Sequence, residues 1–145
     1  MKNIKKSKNQ AKVLIVDDER IILEMYAVKL RRMGYQVFTA ESAINGLEVI
    51  EKEKPDIVFV DIIMPTNDGF WLLERVKKHQ DKSIAQIPVI MLTNLDDAGS
   101  RLKCCQLGCL YYLVKPQHTP LQLSQLVKDV LSVKKSLPEV LANNQ

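Results

Sequence analysis

Four short polar segments each follow an apolar run, and their side chains could do chemistry together. Asp17-Asp18-Glu19 follows VLIV (13–16), and Asp61 follows IVFV (57–60). Thr93-Asn94 follows PVIML (88–92), and Lys115-Pro116 follows YYLV (111–114). Two carboxylates ~5 Å apart repel by roughly 3 kcal/mol at an effective dielectric near 20. Several acids at one place therefore call for a cation. Oxygen ligands alone, few in number, fit Mg²⁺ with water completing the shell. A metal-bound carboxylate beside a hydroxyl and an ammonium is also a place for a phosphoryl group. Taken singly, Asp17 and Thr93 could be helix caps and Lys115 a solvated lysine. Their shared position at the ends of apolar runs argues for one site.

The elements that must position them follow from the pattern. A fifth run, VFTA (37–40), lies between the first two. The runs are rich in β-branched residues and almost continuously apolar, as strands covered on both faces are. Between them lie helical stripes: Leu23, Tyr26, Ala27 and Leu30; Ala43, Leu47 and Ile50; Phe70, Leu73 and Val76; Ala98, Leu102 and Cys105; Leu123, Leu126, Val127, Val130 and Leu131. Gly34, Pro55 and Gly108 close the first, second and fourth. This βα alternation predicts an α/β doubly wound parallel sheet of five strands flanked by five helices. In such a sheet, ligands bind beyond the carboxyl ends of the strands, where the acids, the hydroxyl and the lysine fall. The fourth stripe puts Cys105 in the core and Cys104 either exposed or near a neighbouring helix.

The chain has 145 residues, one domain's worth, and 46% of them are apolar, enough to bury a core without disulfides. No apolar run reaches the ~20 residues of a membrane span, and the charged N-terminus has no signal-like apolar core, so the expected location is cytoplasmic. The net charge of +4 arises in the N-terminal segment, where Lys2, Lys5, Lys6, Lys8 and Lys12 precede the first acid. Residues 13–145 carry 16 basic and 17 acidic side chains, so nucleic acid is not an expected partner of the body. Residues 1–11 read as a basic flexible tail, 12–135 as the domain and 136–145 as a short C-terminal tail. Cys104, Cys105 and Cys109 lack zinc-site spacing, and their odd number argues against a disulfide framework. His79 and His118 read as surface residues, and Trp71 as packed between helices or partly exposed. No G-x-G-x-x-G follows the first strand, which excludes a dinucleotide site.

The segments VLIVDDE, VDIIMPTNDGF, VIMLTNLDD and LGCLYYLVKP resemble, in order and spacing, the receiver domain of two-component response regulators, over about Lys12 to Lys135. The resemblance implies a flavodoxin-like sheet of strand order 2-1-3-4-5. It implies that Asp61 is the phosphoacceptor and that Asp18, Asp61 and the carbonyl of Ile63 bind Mg²⁺, with Asp17 acting mostly through a metal-bound water. Thr93 and Lys115 would contact the phosphoryl group, and Tyr112 would be a switch aromatic. The Lys115-Pro116 bond would be cis. The phosphodonor would be a histidine kinase or histidine phosphotransfer protein. Output would pass to an unidentified partner protein through the fourth helix, fifth strand and fifth helix of a stand-alone module.

The sequence departs from that family at several places. Asn94 stands where Ala or Gly is usual, which predicts slower phosphorylation or a narrower choice of donor. Ile63 and Leu95 flank the path of the hydrolytic water and offer it no polar group, which predicts a long-lived phosphoaspartate. Thr66-Asn67 replaces a glycine-containing pair. Tyr111 reads as a partly buried strand residue or a partner contact. Two other functions compete: a degenerate receiver that binds protein without phosphorylation, and a haloacid-dehalogenase-type phosphatase. The second needs a carboxylate two residues after the nucleophile, and that position is Ile63.

Overall fold

In the computed structural model, residues 10–136 are described. The anticipated tails lie almost wholly outside that range. Five strands, β1 (Lys12–Val16), β2 (Gln36–Ala40), β3 (Ile57–Val60), β4 (Val89–Thr93) and β5 (Tyr111–Val114), form one parallel sheet in the order β2-β1-β3-β4-β5. Six α-helices intervene or follow: α1 (Arg20–Arg32), α2 (Ala43–Glu53), α3 (Gly69–Lys77), α4 (Lys82–Ala85), α5 (Ala98–Leu107) and α6 (Pro120–Ser136).

The continuous apolarity of the strands has a simple cause. Successive side chains point to opposite faces, and both faces are covered. Val13 and Ile15 enter the layer under α1 and α6, with Leu23, Tyr26, Leu30, Leu123 and Val127. Leu14 and Val16 enter the opposite layer, with Ile50, Leu72, Leu73, Val76 and Cys104. Leu23, Tyr26, Ala27 and Leu30 are all buried, as their spacing predicts.

Two expectations about the helices are corrected. The five expected helices become six, because the segment between α3 and β4 holds an additional one-turn helix, α4. Asp81 caps it by accepting the Ser83 N–H (2.9 Å), and Ile84 anchors it in the core. One turn is too short to show a 3.6-residue stripe. In α5 the stripe is displaced. Cys104 is fully buried, whereas Leu102 is 59% exposed and Cys105 and Ala98 are exposed. This ten-residue helix fully buries only Cys104, so three apolar side chains at helical spacing gave a false face.

His79 is half-buried rather than a bare surface residue. Its Nδ1 accepts the Asp81 N–H (3.0 Å), and its Nε2 lies 2.9 Å from Glu51 Oε2 of α2, 28 positions earlier. His118 is also half-buried, with Nδ1 3.1 Å from the Val114 carbonyl. Trp71 is half-buried, with the Arg75 guanidinium 4.6 Å from its ring centre. Tyr111, on the edge strand β5, is 47% exposed.

Candidate functional site

The sheet register aligns the polar residues at one rim. Val16 of β1 pairs with Val60 of β3, and the ladder extends one residue further on both strands. Asp61 N–H donates to the Val16 carbonyl (2.9 Å) and Asp17 N–H to that of Ala40 (3.0 Å). Thr93 pairs with Val114, the residue before Lys115. Backbone hydrogen bonds thus fix the acids, the hydroxyl and the lysine before any side chain interacts.

Lys115 joins the acids. Its Nζ lies 2.7 Å from Asp17 Oδ2, 3.1 Å from Glu19 Oε1 and 3.2 Å from Asp61 Oδ2. Burial disfavours the ammonium, but the hydrogen bond to Asp17 and the charges of Asp61 and Asp17 outweigh it, so its pKa stands above that of an ordinary lysine. Burial pushes the Asp17 carboxyl up, against hydrogen bonds from Lys115 and the Glu19 N–H. Such a pair is tolerated only because each charge finds its opposite.

One ammonium does not satisfy three carboxylates. Asp17, Glu19 and Asp61 each offer an oxygen within 4.8 Å of the others. Asp61 Oδ1 is buried without a hydrogen-bond partner among the described residues. An orphaned buried carboxylate oxygen in an acidic cluster fits a hard divalent cation. A cavity of about 250 Å³ opens onto it, lined by Asp18, Glu19, Asp61, Ile63, Thr93 and Asn94.

The predicted residues fall as follows. Asp17, Asp61, Thr93 and Lys115 are buried at the rim. Asp18 is exposed and lines the cavity outside the tight cluster, and Ile63 is 58% exposed at the same mouth. Thr93 Oγ1 accepts the Leu95 N–H (3.2 Å), and the Leu95 carbonyl accepts from the Tyr112 hydroxyl (2.7 Å). Tyr112 therefore reaches the Thr93 loop through Leu95, and Arg101 stacks on its ring at 4.7 Å. The cis expectation fails: no peptide bond among the described residues is cis, so Lys115-Pro116 is trans. Trans is favoured for X-Pro by about 0.5–1 kcal/mol. Pro116 here lies within a 3₁₀ turn, Lys115–Gln117, whose fixed φ suits it.

Three supporting residues carried no role in the sequence reading. Glu19 was visible as the third acid of a run, but its contact with Lys115, 96 residues away, was not. Gly69 opens α3 directly under Asp61. A β-carbon there would overlap the Asp61 carbonyl and stand 2.8 Å from Ile62 Cα. Asp68 caps the same helix through the Trp71 N–H (3.0 Å).

The family model for the response regulator receiver domain matches residues 13–128. A curated relative named "Probable transcriptional regulator ycf27", from Guillardia theta, is 38% identical over 120 residues, 83% of this chain and 45% of its own length. The chain spans about half the length of such relatives (45% and 49% in two of them). Among solved structures, a CheY-like receiver domain protein from Methanospirillum hungatei superposes with a TM-score of 0.80 at 29% identity, covering 88% of this chain and 98% of that one. The chemotaxis response regulator CheY4 of Vibrio cholerae gives 0.76 at 30% identity, covering 84% and 99%.

Proposed function

The chain belongs to the response regulator receiver domain family, and from that premise we propose that Asp61 accepts a phosphoryl group from a phosphohistidine donor. As a receiver it is a signalling domain rather than a turnover enzyme. The observation that carries the proposal is Asp61 itself. It is a buried carboxylate with one oxygen on Lys115 and the other without a hydrogen-bond partner among the described residues, beside a cavity that Thr93 also lines.

An Asp61 oxygen attacks phosphorus, the P–N bond to the donor imidazole breaks, and the imidazole keeps the electron pair and takes a proton. Asp17, Asp18 and Asp61, with the Ile63 carbonyl, would hold Mg²⁺. When bound there, the ion offsets carboxylate charge and draws charge from the phosphoryl oxygens. Lys115 then exchanges part of its contact with Asp61 for a phosphoryl oxygen. The Thr93 hydroxyl would turn to donate to another, giving up the Leu95 N–H that its oxygen accepts. That second exchange loosens the loop on which Tyr112 rests, so the chemistry reaches α5, β5 and α6. Leu102, Tyr111 and Leu121 are exposed on these elements and would meet an output protein.

The donor would be a histidine kinase or histidine phosphotransfer protein. Incubation with a small acyl phosphate and Mg²⁺ should add about 80 Da to the intact mass, and Asp61→Ala should abolish the gain. A wild-type chain that gains no mass would instead favour a binding module independent of phosphorylation.

A further inference from the structure

Three cysteines, Cys104, Cys105 and Cys109, stand at the C-terminal end of α5, and phosphoryl transfer uses none of them. The helix closes on Gly108 at φ +96°, a left-handed conformation that glycine adopts without strain. Gly108 N–H donates to the Cys105 carbonyl (3.1 Å), and Cys109 N–H reaches back to that of Cys104 (3.0 Å). In a cap of this kind the side chains at the two ends of the longer bond are neighbours, usually a pair of apolar groups. Here both are cysteines.

Fixed bond lengths on either side of a 3.0 Å hydrogen bond keep the two α-carbons within about 7 Å. A disulfide spans roughly 4.4–6.8 Å between α-carbons. Cys104 is fully buried, and Cys109 is half-buried against the same apolar cluster. Cys105, adjacent in sequence, faces solvent instead.

We propose that Cys104 and Cys109 are a peroxide-responsive dithiol whose oxidation closes a disulfide across the C-terminal cap of α5. Cys109 is the attacking thiol because solvent reaches it. Its hydrogen-bonding contact with Cys104 lowers its pKa, and the Lys77 charge adds to this against the effect of burial. The same contact and burial push the Cys104 thiol up. The Lys77 stem lies 3.6 Å from where a β-carbon on Gly108 would stand, so the cation belongs to this corner of the fold.

The Cys109 thiolate attacks one oxygen of hydrogen peroxide. The O–O bond breaks, hydroxide leaves and becomes water, and the sulfur is oxidised by two electrons to a sulfenic acid. Cys104 sulfur then attacks Cys109 sulfur, the S–O bond breaks, and the hydroxyl departs as water with the Cys104 proton. Two thiols and one peroxide give one disulfide and two waters. A dithiol reductant returns two electrons and reverses the change. The bond would tie the end of α5 to the segment entering β5, three residues before Tyr112. The proposal does not depend on phosphorylation of Asp61.

The test treats the full chain with dilute hydrogen peroxide, denatures it in iodoacetamide and measures intact and fragment masses. The expected product has lost about 2 Da, carries one alkyl group, on Cys105, and does not fragment between Cys104 and Cys109. Dithiothreitol before alkylation restores three alkyl groups, one for each cysteine. Cys105→Ser should still close the bond, and Cys109→Ser should keep Cys104 alkylatable. Free Cys104 and Cys109 after peroxide, over-oxidation of Cys109 without mass loss, or a cross-link that Cys105→Ser abolishes would each overturn the proposal.

Discussion

The Lys115 ammonium lies 2.7 Å from the Asp17 carboxylate, with side-chain exposures of 5% and 3%. The pair sits nearly out of water, and Asp61 shares the same cation. Lys115 is therefore structural before it is functional. Removing it would leave two buried carboxylates without their counter-charge.

Lys115→Met should lower stability by about 3 kcal/mol, the scale of breaking a buried ion pair. Adding Asp61→Asn should recover part of the loss, because it removes one uncompensated charge. Urea midpoints of the two variants and wild type test this. A Lys115→Met midpoint equal to that of wild type would show that the cluster is already neutralised by other means.

Mg²⁺ should stabilise the wild-type chain by RT ln(1 + [L]/Kd), about 2.7 kcal/mol at a hundredfold excess over Kd. Chelation should reverse the gain. Asp61→Asn and Asp18→Asn should each reduce it. The readout is thermal unfolding without any phosphodonor. An unchanged melting temperature in wild type would argue against the cation site.

Thr66 sits at φ +73°, where a β-branched residue is strained by roughly 1–2 kcal/mol. Thr66→Gly should raise stability by about 1 kcal/mol, the relief exceeding the extra entropy glycine has when unfolded. A destabilised variant would mean that Thr66 makes compensating contacts in the loop after Asp61.

Asp81 has its carboxyl held down at about 2 by the Ser83 hydroxyl, the Lys54 ammonium and the Ser83 N–H. Its folded value is below its unfolded one. Its contribution is therefore present above the ordinary carboxyl range near ~3.9 and is lost as pH falls through about 2. NMR titration of the Asp81 carboxyl should give a midpoint about that low, and Ser83→Ala should move it up. A midpoint at the ordinary value in wild type would contradict the capping geometry.

Asn94 is exposed at the mouth of the cavity. Asn94→Ala should speed phosphorylation by a small donor several-fold, on the order of 1 kcal/mol in barrier. In the same assay the apolar Ile63 should give a long phosphate lifetime, which Ile63→Glu shortens by offering water a polar partner. Equal phosphorylation rates for Asn94→Ala and wild type would remove the first idea.

Much of this was legible in the chain itself. Continuous β-branched runs announced strands buried on both faces, and their alternation with helical stripes announced a parallel sheet. The placement of Asp17, Asp61, Thr93 and Lys115 at strand ends followed, because in such a sheet all strand ends share one rim. The stripe through Leu102 and Cys105 misled because a short helix buries little, so its pattern carries little information. The one-turn helix at Lys82–Ala85 was missed for the same reason of length.

Residue types and their order along the chain thus determined the sheet, its rim and the acids on it, since those depend on local periodicity and on a topological rule. Only the tertiary structure decided which partners meet there. Glu19 reaches Lys115 across 96 residues, Glu51 meets His79 across 28, and Lys115-Pro116 stays trans. Such contacts depend on side-chain reach and on how far loops carry their ends, and no period in the sequence encodes either. The approach of Cys109 to Cys104 belongs to the same class, because the Cys109 N–H reaches the Cys104 carbonyl through the left-handed turn at Gly108.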